Sequence, residues 1–173
     1  HFLLFLYLAI AIGFSFLCSI AEAVLLSITP SFLAERRQDS SKSSRRILLL
    51  KENIDRPLSA ILSLNTIAHT VGAAGVGAQA AKIYGDQYVG VISAILTLLI
   101  LVLSEIIPKT IGALHWRRLA APVAVFVQGL IVLMLPLVWM SEFLTKLLSG
   151  NKDQKLVTRA EIAAMAELGT SEG

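Results

Sequence analysis

Apolar residues run almost unbroken from Phe2 to Ile28, interrupted only by small polar side chains and one acid, Glu22. Such a run exceeds the roughly 20 residues that carry a helix across about 30 Å of hydrocarbon. Two further stretches share this character, so the pattern predicts three transmembrane helices at about 2–28, 57–83 and 89–114. The second and third are joined by KIYGD, a short polar turn flanked by Tyr84 and Tyr88, as in the aromatic belt of a membrane interface. Fold class follows directly: an all-α integral membrane protein.

The connection 30–56 is different. It carries Arg36, Arg37, Lys42, Arg45, Arg46, Lys51 and Arg56, and this density of cations beside membrane spans marks the cytoplasmic side. Phe32, Leu33, Ile47, Leu48 and Leu50 interleave with the charges, as in an amphipathic helix lying in the interface, with a solvated loop as the alternative. The turn between the second and third spans holds only Lys82 and Asp86 and belongs outside, while Lys109, Arg117 and Arg118 return the chain to the basic side. This places the N-terminus outside and the C-terminus in the cytoplasm. A fourth apolar segment, 119–148, is long enough to cross, but crossing would strand Lys146, Lys152, Lys155 and Arg159 outside. Pro122 and Pro136 each remove a ladder hydrogen bond. The segment is therefore expected to be re-entrant or interfacial. In the tail, Thr158 and Glu161 form a capping box that predicts a short helix. Residues 1–150 read as the transmembrane domain and 151–173 as the start of a linker.

Composition agrees with this picture: 55% of the 173 residues are hydrophobic, 16% are charged and mean hydropathy is +0.74. Soluble domains carry about 25% charged residues. A net charge of +3, scattered along the chain, gives no footprint for nucleic acid. The lone Cys18 excludes a disulfide framework or a multi-thiolate metal site. The opening segment lacks the basic start and cleavage site of a signal peptide. The abrupt apolar beginning and polar end are those expected of a piece of a longer protein.

Polar residues inside the spans carry the chemistry, because an acid at the centre of a membrane helix costs about 2.5–3.5 kcal/mol on insertion scales. Ser15, Ser19 and Glu22 stand at i, i+4 and i+7, on one face of the first span. Asn65, His69 and Gly72 repeat that spacing in the second, where Gly72, Gly75 and Gly77 suit close helix packing. Asn65 fits an interhelical hydrogen bond or a ligand, and His69 alone fits a satisfied buried histidine. The third span holds SEIIPK. Pro108 has no N–H for the carbonyl of Ser104, leaving a free main-chain oxygen beside Glu105. A carboxylate, that carbonyl and the Ser and Asn oxygens of two neighbouring helices form an all-oxygen set suited to magnesium, calcium or manganese. The alternative is a proline kink with Glu105 paired to Lys109 at i+4, which leaves the serine and asparagine stripes idle.

Ser19–Ala23 with its S-x-x-E-x pattern, Asn65 in the middle span and Ser104–Lys109 together resemble the membrane domain of the CorC/CNNM (cyclin M) magnesium transporters. The likeness covers roughly residues 2–168, and EIIPK is its most specific piece. It implies a homodimer in the plasma membrane, each subunit with three transmembrane helices belted by juxtamembrane amphipathic helices. It further implies dehydrated Mg2+ in a central cavity, held by Ser19, Asn65 and Glu105 side chains and a main-chain oxygen at Ser104. Ser15, Glu22, His69, Pro108 and Lys109 would line the pathway or support those ligands. His69 departs from the family, many of whose members have a second asparagine there. The resemblance implies alternating access, with export as the direction and no enzymatic activity. Glu22 and His69 are titratable candidates for a coupling ion, sodium or proton. Cytoplasmic CBS domains that bind adenine nucleotide would follow the tail. Two other classes are weighed against transport: a magnesium sensor or scaffold without flux, and an intramembrane hydrolase using Ser19, His69 and an acid.

Overall fold

The computed structural model describes residues 2–149, and every regular element among them is helical. The predicted capping and linker segment, 151–173, lies outside the described residues. Helix α1 (Phe2–Ser27) is followed by two short helices, α2 (Pro30–Arg37) and α3 (Lys42–Glu52), and by the long α4 (Asp55–Tyr84). Gly85, with φ of 89°, closes α4, and its N–H donates to the Ala81 carbonyl at 2.9 Å. This positive φ suits glycine, and it turns the chain within the predicted KIYGD segment. A 3₁₀ turn (Asp86–Tyr88), helix α5 (Val89–Leu99), a π-helical segment (Ile100–Ile106) and helix α6 (Ile107–Leu114) then make one continuous rod. Helices α7 (Trp116–Leu133) and α8 (Leu135–Ser149) follow.

Residues 1–140 form one compact unit; a second begins at Ser141, within α8, and its described part is the end of that helix. In the first unit α1 is central, packing against α4, against the π-helical segment with α6, and against α7. The outward faces of α1 and α5 stay apolar: Phe5, Ile95 and Leu98 are each more than half exposed. An apolar exterior of this extent belongs in lipid. Four helical stretches, Phe2–Ser27, Asp55–Tyr84, Asp86–Leu114 and Trp116–Leu133, are long and apolar enough to cross a membrane.

The fourth apolar segment differs from expectation in two respects. Instead of a single stretch over 119–148, it is two helices that break at Met134, with Pro136 at the second position of α8. A proline costs nothing in the first turn of a helix, where no intrahelical acceptor is lost. Pro122, expected to break the ladder, sits inside α7, which continues through it. Buried Val123, Ala124, Val127 and Leu130 hold that helix against α1, α3 and α4, so packing outweighs the lost bond.

The basic connection is folded, not a solvated loop. Pro30 opens α2, and the Thr29 hydroxyl accepts from the Phe32 N–H at 3.4 Å. Phe32 meets Trp116 edge-on, with ring centroids 5.1 Å apart, and the Arg36 guanidinium lies 4.7 Å from the Phe32 centroid. Lys51 of α3 donates to the Leu25 carbonyl at 3.0 Å, serving one of the carbonyls left open at the end of α1. Burial pushes the Lys51 ammonium below its ordinary pKa.

The α2–α3 turn is organised by Asp39. Its carboxylate accepts from the Ser44 hydroxyl at 2.7 Å, the Ser41 hydroxyl at 2.8 Å and the Ser41 N–H at 3.0 Å. The two hydroxyls, then the backbone N–H, hold its pKa down at about 2, against an ordinary 3.8. A depressed carboxylate contributes its stability above the unfolded value and loses it as pH falls through the folded one. The turn should therefore resist proteolysis unchanged from neutral pH to near 3.8 and loosen as pH falls toward about 2. Asp39→Asn should be cleaved faster in this turn already at pH 7; equal cleavage of both forms would contradict the assignment.

Candidate functional site

Three helices bring their polar residues to one place. On α1, Ser15 and Ser19 are fully buried, and Glu22, one turn on, has 21% of its side chain exposed. The stripe faces inward because small residues let the helices approach. A Cβ on Gly72 would collide with that of Ala11, and one on Gly112 would lie 2.9 Å from the Ile20 carbonyl oxygen. Gly77, expected to share this role, has no neighbour within 4 Å of such a Cβ.

Close approach sets the contacts. Ser15 Oγ lies 2.6 Å from His69 Nε2, pairing α1 with α4. Asn65 Nδ2 donates to Glu105 Oε1 at 3.0 Å, pairing α4 with the π-helical segment. His69 Nε2 stands 3.8 Å from the same Glu105 oxygen. Lys109 Nζ lies 3.1 Å from both Glu22 Oε2 and Glu105 Oε2, so one ammonium joins carboxylates of different helices. The i, i+4 pair of Glu105 and Lys109 is thus present, but the serine and asparagine stripes meet the same cluster.

Two buried oxygens, Ser19 Oγ and Asn65 Oδ1, have no hydrogen-bond partner among the described residues. Among the described residues no three His, Cys, Asp or Glu side chains converge as a metal-binding group. The available donors are instead hydroxyl, amide and carboxylate oxygens.

The helix carrying Glu105 deals with Pro108 by widening. From Ile100 to Ile106 the chain is π-helical, and the Ile107 N–H reaches back five residues to the Val102 carbonyl. Pro108 follows directly as the second residue of α6, in keeping with the association of helix irregularities with proline. Ser104 is fully buried and its hydroxyl donates to the Ile100 carbonyl at 2.7 Å, so its side chain is engaged within its own helix. Single-turn π insertions recur at functional sites because they rotate the residues beyond them. Glu105, within this segment, meets Asn65 of α4, and Lys109, just past it, meets Glu22 of α1.

Sequence reasoning placed Lys109 in support but missed its contact with Glu22. A signal was available: the first and third spans hold two acids and one base within the membrane-facing pattern, and one base serves two acids only if the helices touch.

Residues 6–173 match the family model described as the cyclin M transmembrane N-terminal domain. The chain belongs to this family. A UPF0053 protein of Synechocystis is 37% identical over 157 residues, covering 91% of this chain and 45% of that protein. The UPF0053 inner membrane protein YfjD of Escherichia coli is 29% identical over 128 residues, covering 74% and 30% respectively. A UPF0053 protein of Haemophilus influenzae is 30% identical over 165 residues, covering 95% and 39%. The chain therefore spans less than half the length of these curated relatives.

Proposed function

We propose that this cyclin M-type domain transports magnesium, binding the ion as substrate among oxygens of α1, α4 and the π-helical segment. The observation that carries this reading is a pair of buried oxygens without a hydrogen-bond partner among the described residues: Asn65 Oδ1, on the amide that holds the Glu105 carboxylate, and Ser19 Oγ, on the α1 face between Ser15 and Glu22. A buried polar atom without a partner costs about 1–3 kcal/mol. Two such atoms are retained because an ion satisfies them. Magnesium takes oxygen ligands and dehydrates reluctantly, so fixed hydroxyl, amide and carboxylate oxygens must replace part of its water shell. The Ser104 main-chain oxygen is the proposed fourth ligand. Ser15 holds His69, and His69 flanks Glu105, contacts that support reading both as pathway residues.

The finer reading extends the family resemblance. The working form is a homodimer in the cell membrane, with the N-terminus outside and α2 and α3 on the cytoplasmic surface. Access alternates between sides, export is the direction, and the coupling ion is sodium or a proton. Nucleotide-binding CBS domains would be supplied by the rest of the protein. Hydrolytic chemistry is not proposed. A serine–histidine–acid triad uses both ring nitrogens, one toward serine and one toward the acid. Here the hydroxyl against His69 is that of Ser15, not Ser19; Ser15 and Glu105 face the same nitrogen, Nε2, and Ser19 sits in a plain helical run.

Full-length protein in liposomes should carry saturable magnesium flux well above that of empty liposomes. Binding without flux would favour the sensor, and neither would overturn the proposal. Ser19→Ala supplies a sharper check. Removing an unpartnered hydroxyl should leave the ion-free thermal midpoint unchanged or raised, while magnesium affinity falls by roughly tenfold, about 1.4 kcal/mol. A lower ion-free midpoint with unchanged affinity would assign Ser19 to packing alone.

A further inference from the structure

One ammonium, Lys109 Nζ, lies at 3.1 Å from carboxylates of two different helices, Glu22 Oε2 on α1 and Glu105 Oε2 on the π-helical segment. Among the described residues two buried oxygens have no hydrogen-bond partner: Asn65 Oδ1, on the amide that holds Glu105, and Ser19 Oγ, on the α1 face between Ser15 and Glu22. Glu105 is thus fully engaged: Asn65 Nδ2 holds Oε1 at 3.0 Å and Lys109 holds Oε2. A divalent cation that needs this carboxylate must first compete with a tethered cation of the protein's own.

We propose that Lys109 is a built-in competitor for the transported ion, seated on Glu105 when the site is empty and retained by Glu22 when magnesium takes its place. This rests on the transport reading above. The charges support it. Glu22, Glu105 and Lys109 sum to −1, so the empty cluster holds one uncompensated charge inside a membrane domain, where two would be more costly. With the divalent ion bound, the sum is +1, and the ammonium is repelled from Glu105. A flexible four-carbon stem lets the head swing without moving the helix. Glu22 keeps it paired during the exchange, so no bare ammonium is left in a low-dielectric site. The same head, 43% exposed, can return to Glu105 and expel the ion. Affinity is sacrificed for release, as a transport cycle needs.

A purely structural bridge would predict that losing either partner weakens everything. A competitor predicts opposite signs. Lys109→Met should bind Mg2+ at least about tenfold more tightly, and its maximal flux should fall while half-saturation moves to lower magnesium, because release is slowed. Glu22→Gln should bind Mg2+ more weakly, since the displaced ammonium loses its second carboxylate. The Glu22→Gln loss should also shrink in the Lys109→Met background, as expected of residues that act through each other. The experiment is MgCl2 titration calorimetry on purified full-length protein, paired with flux into liposomes over a magnesium series. Unchanged or weaker binding in folded Lys109→Met, with wild-type binding intact, overturns the role of the lysine alone. No binding by wild type or variant overturns the transport reading and this one with it. If Lys109→Met does not fold, Lys109→Gln, which keeps a neutral hydrogen-bond donor for the two carboxylates, decides: tighter binding supports the exchange, and unchanged or weaker binding rejects it.

Discussion

Glu105→Ala is expected to lower magnesium flux by at least about a hundredfold while the protein remains folded. A unit charge about 4 Å from another, at an effective dielectric of about 20, is worth about 4 kcal/mol, and the ion carries two charges. Dehydration consumes much of that, yet a net loss near 2.7 kcal/mol already means about a hundredfold. The fold tolerates the change because Lys109 keeps Glu22 at 3.1 Å, so no bare ammonium remains in the helix bundle. Asn65 Nδ2 does lose its acceptor, a cost of about 1–3 kcal/mol if nothing replaces it. Glu105→Gln separates charge from shape, since it preserves an oxygen for Asn65. It should lose flux nearly as completely with little change in thermal midpoint. Wild-type flux in either folded variant would remove Glu105 from the ion path.

Gly72→Val is expected to disable the domain from a position with no polar group at all. A Cβ at Gly72 would collide with the Ala11 Cβ and lie 3.3 Å from its Cα, so α1 and α4 must separate. Overpacking of this kind costs about 1–3 kcal/mol, and more where backbone atoms are the obstacle. The effect reaches the site because Ala11 is one turn from Ser15, and Gly72 one turn from His69, across the same helix pair. Separation there lengthens the 2.6 Å Ser15–His69 contact. Both a lower thermal midpoint in detergent and weaker magnesium binding should follow. Exchanging the two small residues gives the control: Gly72→Ala with Ala11→Gly keeps the combined volume and should recover most of the stability that Gly72→Ala alone loses. Failure of that rescue would show that the glycine serves backbone conformation, not helix approach.

The reach of the sequence follows from what the membrane demands. A spanning helix must satisfy its backbone within its own segment, so the first three spans, the KIYGD turn and the basic connection were legible from apolar run lengths and charge positions alone. The polar residues of interest were equally visible, because Ser19, Glu22, Asn65, His69 and Glu105 are costly where they stand. The line of 119–148 was read in part: proline rules marked Pro122 and Pro136 alike as ladder breaks, but tertiary packing carried α7 through Pro122, and the chain breaks at Met134, beside Pro136.

Which polar atoms meet was decided only by the tertiary structure. Helical periodicity assigns a residue to a face but fixes neither the rotation nor the axial register of one helix against another. Those depend on where small residues permit contact, at Gly72 and Gly112 but not at Gly77. Register sets Ser15, not Ser19, against His69, and leaves Ser19 Oγ without a partner. The π-helical turn shifts Glu105 and Lys109 by a rotation that the residue spacing of a regular α-helix does not contain. Through that turn Lys109 reaches Glu22 as well as Glu105. The sequence by itself determined that this is a membrane domain with polar and acidic side chains inside it; packing of α1 between α4 and the π-helical segment determined which of their atoms meet.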